Sequence, residues 1–223
     1  MTKKILLISL LVGSTLTFIG CEESNKRETE ISKEIEKGKP SQENAQLAQK
    51  FFDEGNYKQA LAHDLKQLEE DLKYYKEQSA EISLDYNNIG LNYDELEEYD
   101  KALEYYKKAM KIDNVVLDLN SSERATTYYN IASTYDALDK NSDALKYYFK
   151  ALEIDKAISG ENHVDVLSSY LDIAKVYKKT EKYSSALTYF QKALKVQENL
   201  YGEKDSDTAV IKRNIEEMKK KIK

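Results

Sequence analysis

The chain has 223 residues, 41% apolar and 33% charged, with 34 basic against 40 acidic side chains and a formal charge of −6. One proline, seven glycines and no tryptophan leave little for the frequent tight turns of an all-β protein, and the acidic balance disfavours a nucleic-acid or anionic-membrane partner. A single cysteine excludes an intramolecular disulfide, so the fold must stand on packing.

Lys3 and Lys4 open the chain, an uncharged run from Ile5 to Ile19 follows, and Gly20-Cys21 closes it. Residues 1–20 therefore read as a signal peptide, the run being shorter than the ~20 residues of a comfortable membrane span. Phe18-Ile19-Gly20-Cys21 resembles a lipobox, with Phe18 where the usual motif has leucine. That resemblance implies that Cys21 is acylated as the new N-terminus and that a lipid holds the chain in the bacterial cell envelope. Whether the membrane is inner or outer stays open, and an uncleaved N-terminal anchor is the other reading of the same run. Residues 21–40 are Glu, Lys, Ser and Asn with isolated Ile31 and Ile35, too little apolar surface to offset the entropy of ordering, and read as a flexible tether.

From residue 41 a single interval organises the sequence. Ala60, Ala102, Ala144 and Ala186 are separated by steps of 42, and so are Leu47, Ile89, Ile131 and Ile173. The same step links Ala48, Gly90, Ala132 and Ala174; Phe51, Tyr93, Tyr135 and Tyr177; and Leu61, Leu103, Leu145 and Leu187. Tyr86, Ile89, Gly90 and Tyr93 share one helical face, and Ala102, Tyr106, Ala109 and Met110 share another, with Asp94 to Tyr99 as a polar connection. Each unit is thus a helical hairpin, at about 41–82, 83–124, 125–166 and 167–208. Gly90 should cost a helix about 1 kcal/mol relative to alanine, so close approach of the paired helix is expected there, with Ala102 and Ala109 facing it. In the first unit Asn44, Asp64 and Gln67 replace aromatic, aromatic and alanine, which reads as a polar N-terminal cap. Ile211, Ile215, Met218 and Ile222 form an apolar stripe on a capping helix over 209–223.

These columns resemble the tetratricopeptide pattern, in units longer than the common form of about 34 residues and without its helix-ending proline. The linkers Gly160-Glu161-Asn162-His163-Val164-Asp165 and Gly202-Glu203-Lys204-Asp205-Ser206-Asp207 are similar to those of the kinesin-light-chain subtype. The period alone also fits HEAT or armadillo repeats of about 40 to 47 residues, whose proline and charge signature is absent. The expected fold is all-α: a right-handed solenoid of four tetratricopeptide-like hairpins plus a C-terminal capping helix.

Catalytic patterns are missing. His63 and His163 stand a hundred residues apart, and no zinc-ligand spacing, phosphate loop, nucleophile elbow or HExxH motif occurs. No enzyme activity, cofactor, metal, nucleic acid or small-molecule substrate is expected. His163 sits in a linker where a structural role is the simpler one, and Asp94-Glu95 and Glu97-Glu98 read as solvated charges or helix-end residues at a hairpin turn.

The first helices of such a stack line a concave surface. Counting from the packing columns, the second unit should present Asn87, Asn88, Leu91 and Asp94, the third Tyr129, Asn130, Ser133 and Asp136, and the fourth Leu171, Asp172, Lys175 and Lys178. Asn88 and Asn130 recur at one position, and the resemblance implies that such asparagines contact a ligand backbone. The groove should also change sign from Asp94 and Asp136 to Lys175, Lys178 and Lys179, suiting a ligand with one basic and one acidic end. The functional expectation is a membrane-anchored scaffold or adaptor that binds a protein or peptide segment. A regulatory or sensory peptide binder and an accessory subunit of an envelope hydrolase are the alternatives.

Overall fold

The computed structural model describes residues 40–223; the expected signal segment, Cys21 and the tether up to residue 39 lie outside them. Helices α1 (Glu43–Asp53) and α2 (Tyr57–Asp71) form the first hairpin, α3 (Ala80–Glu95) and α4 (Tyr99–Val116) the second, and α5 (Ser122–Ala137) and α6 (Asn141–Ser159) the third. The fourth comprises α7 (Val164–Lys179) and α8 (Tyr183–Tyr201), and α9 (Ser206–Ile222) closes the array. Each helix packs on its neighbours in sequence, which is the all-α solenoid expected from the repeat.

The 42-residue step sets the helix ends as well as their faces. Ser79, Ser121, His163 and Asp205 stand at one register, and each accepts a hydrogen bond from a free amide in the first turn of α3, α5, α7 or α9. His163 thus has a capping role, its Nδ1 accepting from the Asp165 amide at 3.4 Å. At the hairpin turns Gly55, Glu97, Asp139 and Glu181 share another register, and all four have positive φ, 74°, 61°, 56° and 57°. The following amides reach back to Phe51, Tyr93, Tyr135 and Tyr177 carbonyls at 2.8 to 2.9 Å, closing Schellman-type ends.

Packing within each hairpin pairs a ring with a small residue. Ala60, Ala102, Ala144 and Ala186 are fully buried, as are Tyr106, Tyr148 and Phe190 or nearly so. A Cβ on Gly90 would lie 2.7 Å from two carbons of the Tyr106 ring, closer than real contacts allow. The close approach expected at Gly90 is therefore made by the Tyr106 ring; Ala102 and Ala109 are buried beside it. A second ring pair repeats in all four hairpins: Phe51 on His63, Tyr93 on Tyr105, Tyr135 on Tyr147 and Tyr177 on Tyr189, with centroids 5.4 to 5.8 Å apart. Ammonium groups cover these rings, Lys108 at 4.5 Å from Tyr105 and Lys192 at 4.9 Å from Tyr189.

The closing helix buries Ile211, Ile215 and Met218 against Ala174, Ala186 and Phe190. Ile222, expected in that stripe, is exposed at the last residue of α9.

Between hairpins, buried polar contacts accompany an apolar core that is continuous across the junctions, as where Leu152 and Ile154 share a cluster with Val166 and Leu167. Asp71, Asp113 and Asp155 stand at one register near the ends of the second helices, and Asp85, Thr127 and Ser169 share another on the next first helices. Thr127 Oγ1 donates to Asp113 Oδ2 at 2.7 Å, Ser83 donates to the other oxygen, and Asn87 Nδ2 donates to Thr127 Oγ1 at 2.5 Å. At the first junction two carboxyls meet, with Asp85 protonated and donating to Asp71; burial and the facing Asp71 push Asp85 up to about 9. Asp64 and Asp155 are pushed up to about 7, mainly by burial, and Asn92 Nδ2 donates to Asp64 at 2.6 Å. The polar residues of the first hairpin are buried at Asp64 and Gln67, Gln67 accepting from the Ala45 amide and donating to Asp71.

Raised carboxyl pKa values give an inverted pH dependence. At Asp64, Asp85 and Asp155 the folded chain keeps protons that the unfolded chain releases above about pH 4, so the contribution of these groups is most favourable in acid, falls as pH rises from there and levels off above about 7 to 9. Thermal unfolding followed by circular dichroism at pH 5, 7 and 9 should give a falling midpoint, and Asp85→Asn should flatten the fall. A midpoint that climbs towards pH 9 contradicts this. Ala144→Leu overpacks a site with no free volume and should destabilise the array by about 1–3 kcal/mol; an unchanged denaturation midpoint would count against the ring-on-alanine packing.

Candidate partner-binding surface

The residues expected to line the groove come from α3, α5 and α7, and neighbouring first helices approach closely enough to bond to one another. Asn87, Leu91, Asp94, Tyr129, Asn130 and Asp172 are all at most 8% exposed. Asn87 is spent on Thr127, as above. Asp94, read from the sequence as a solvated or helix-end acid, stands in the last turn of α3, buried, and accepts from Thr134 Oγ1 at 2.7 Å. Tyr129 spans the next gap, its hydroxyl donating to Asp172 Oδ2 at 2.5 Å, and burial beside that carboxylate pushes the phenol pKa well up. These pairs stand 40 or 43 residues apart, so they cross from one hairpin to the next.

The surface left open is narrower than the twelve residues counted from the sequence. Asn88, Ser133, Asp136, Leu171 and Lys178 are half-buried, and Lys175 is exposed. Of the repeated pair of asparagines, Asn88 keeps access to solvent and Asn130 is 3% exposed.

The expected sign change along the groove is consumed internally. Lys175 Nζ lies 2.8 Å from Asp172, Lys179 reaches Asp136 at 3.1 Å and Asp139 at 2.5 Å, and Lys178 reaches Glu217 at 2.7 Å and Asn214 at 3.1 Å. Each cation already faces an acid, so the surface offers amide, hydroxyl and leucine side chains more than free charge. Its chemistry is that of recognition by hydrogen bonds and apolar contact. Sequence reasoning missed the pairing of first helices, although complementary donors and acceptors at 40 and 43 residues were there to be read.

Other reactive side chains have structural partners. His63 Nδ1 stands 2.9 Å from Asn44 Oδ1, and Asn44 donates to Glu70. Among the described residues no group of three His, Cys, Asp or Glu is placed to hold a metal ion, and no helix is long and apolar enough to cross a membrane.

Comparison with known proteins agrees with this architecture. The chain is similar to BtubC (BKLC) from P. vanneervenii, at 25% identity and a TM-score of 0.74, over 89% of this chain and 79% of that one. It also shares its fold with a putative kinesin light chain of Podosopora anserina with nearly identical TPR-like repeats, at 13% identity and a TM-score of 0.70, over 80% of this chain and 85% of that one. No curated protein matches the sequence. The family model for the tetratricopeptide repeat matches residues 42–114 and 123–199, reaching into all four hairpins. The chain therefore belongs to the tetratricopeptide repeat family, whose arrays are protein–protein interaction scaffolds and generally non-catalytic.

Proposed function

We propose that the chain is an envelope scaffold, held to a membrane by a lipid on Cys21, that grips a segment of a partner protein along its first helices. The carrying observation is the row of accessible side chains that inter-hairpin bonding leaves over: Asn88 on α3, Ser133 on α5, and Leu171 and Lys175 on α7. Such a row, amide and hydroxyl followed by an apolar contact, suits an extended segment whose backbone supplies the complementary hydrogen bonds. With the local charges already paired, the segment needs no strong charge of its own. The signal-like start, the lipobox-like Phe18-Ile19-Gly20-Cys21 and the polar stretch beyond it support the anchored reading.

Two measurements test the two halves. Cys21→Ser should move the protein from the membrane to the soluble fraction, and the mass of the native protein should show acyl chains on its N-terminal cysteine; an unmodified, membrane-free native protein would refute the anchor. A photo-crosslinking residue at position 133 or 171 should capture one protein species in the cell, whereas the same residue at exposed position 146 on α6 should not. Equal capture from all three positions would refute the groove. Asn88→Ala combined with Leu171→Ala should cut the yield from position 133 by about tenfold or more, as for loss of 1.4 kcal/mol or more of binding.

A further inference from the structure

The two long edges of the solenoid differ in chemistry. One edge holds the tight hairpin turns around Glu97, Asp139 and Glu181; of the large apolar side chains exposed among the described residues only Ile222, at the end of α9, stands on that side. At the other edge the second helices end and the first helices begin. Tyr74, Val116, Ile158 and Leu200, one per hairpin at the 42-residue step, are there 53%, 38%, 45% and 38% exposed. Leu119 in the connector and Tyr201 beside Leu200 add to the line, 76% and 55% exposed. Packing does not need these side chains, yet the same register is apolar in all four hairpins.

The chain leaves the array at this same edge. Pro40 precedes α1, and the Ser41 carbonyl is held by Gln67 Nε2 of α2 at 2.9 Å, so the first described residues lie beside the end of α2 that leads to Tyr74. Fewer than twenty residues separate that point from Cys21.

We propose that this apolar edge rests on the lipid bilayer that the chain is anchored to, with Tyr74, Val116, Leu119, Ile158, Leu200 and Tyr201 entering the headgroup interface. The inference rests on the anchored reading above. A tether this short keeps the edge at about millimolar effective concentration over the membrane, so a shallow apolar line suffices where it would not bind free in solution. Tyrosines near both ends of the line have the ring and polar tip that suit the interface. The first turns of the helices that start at this edge carry Glu81, Glu123, Asp165 and Asp207, and the whole chain is acidic. The matching surface is therefore one of zwitterionic headgroups, and anionic lipid should weaken the contact. With this edge down, the row from Asn88 to Lys175 runs parallel to the membrane and stays open to a partner.

Hydrogen exchange read by mass spectrometry tests this on the full chain. Cys21 is the only thiol, so the unacylated chain can be coupled through it to maleimide lipid in phosphatidylcholine–phosphatidylethanolamine vesicles. Coupling should slow exchange at least fivefold in residues 115–121, 158–163 and 200–205 relative to the chain in solution, and leave the turns at 96–98, 138–140 and 180–182 unchanged. The variant with Leu119→Ser, Ile158→Ser and Tyr201→Ser should lose that protection while keeping its thermal midpoint, since all three side chains are exposed. Unchanged exchange at the apolar edge, or equal slowing at both edges, overturns the proposal. Slowing that appears without vesicles as protein concentration rises assigns the edge to a second copy and also overturns it. Slowing that grows with added phosphatidylglycerol overturns the choice of headgroup. Because the coupling is chemical, the result stands apart from the acylation measurement on the native protein.

Discussion

The array depends on how closely two helices can approach when a ring on one lies against a residue with little or no side chain on the other. At Gly90 the gap is so small that even a methyl group would press on the Tyr106 ring. In the third and fourth hairpins Ala132 and Ala174 occupy that register, with Tyr148 and Phe190 in the ring column. This contact fixes the distance between the helices of a hairpin, and with it the orientation of everything they carry. Once the distance is common to all units, one register can serve for helix caps, another for turns and a third for stacked rings.

The second constraint is polar. Beside the apolar packing that spans each junction, hairpins join through buried carboxyl, hydroxyl and amide groups, a choice that costs desolvation and returns directionality. Where an acid meets a hydroxyl, as at Asp113 and Thr127, the hydrogen bonds satisfy it; where acid meets acid, as at Asp71 and Asp85, a proton has to remain. Such contacts are more demanding of geometry than apolar ones, so they fix how one hairpin sits on the next. They also use up most of the polar side chains that a concave surface could have shown to a partner. What is left open is small, and its cations are already paired.

The two edges follow from chain direction. Turns within hairpins must reverse the chain in three residues, which demands a positive φ and polar, solvated side chains; connectors between hairpins are looser and carry apolar residues without burying them. Since α1 starts where α2 ends, Pro40 and the exposed apolar line share an edge. A scaffold tied from that side has its groove facing sideways, clear of the surface it is tied to.

Much of the fold was legible in the sequence because a repeat shows each packing position four times. Small residues at Ala60, Ala102, Ala144 and Ala186, and rings at Phe51, Tyr93, Tyr135 and Tyr177, announce helical hairpins without reference to any contact between them. The all-α solenoid and its closing helix followed from those columns. Tertiary structure alone decided the surface, because exposure of a residue on a first helix depends on the next first helix, 40 to 43 residues away. Asn130 and Asn88 occupy equivalent positions in sequence, yet one is buried and the other open to solvent. Asp64 and Gln67 mark the first hairpin as a polar cap in the sequence, and only the approach of α3 and the turn before α1 shows that they are buried. Composition and periodicity determine which faces of a helix are apolar, while only the packing of one hairpin against the next determines which polar groups remain in water.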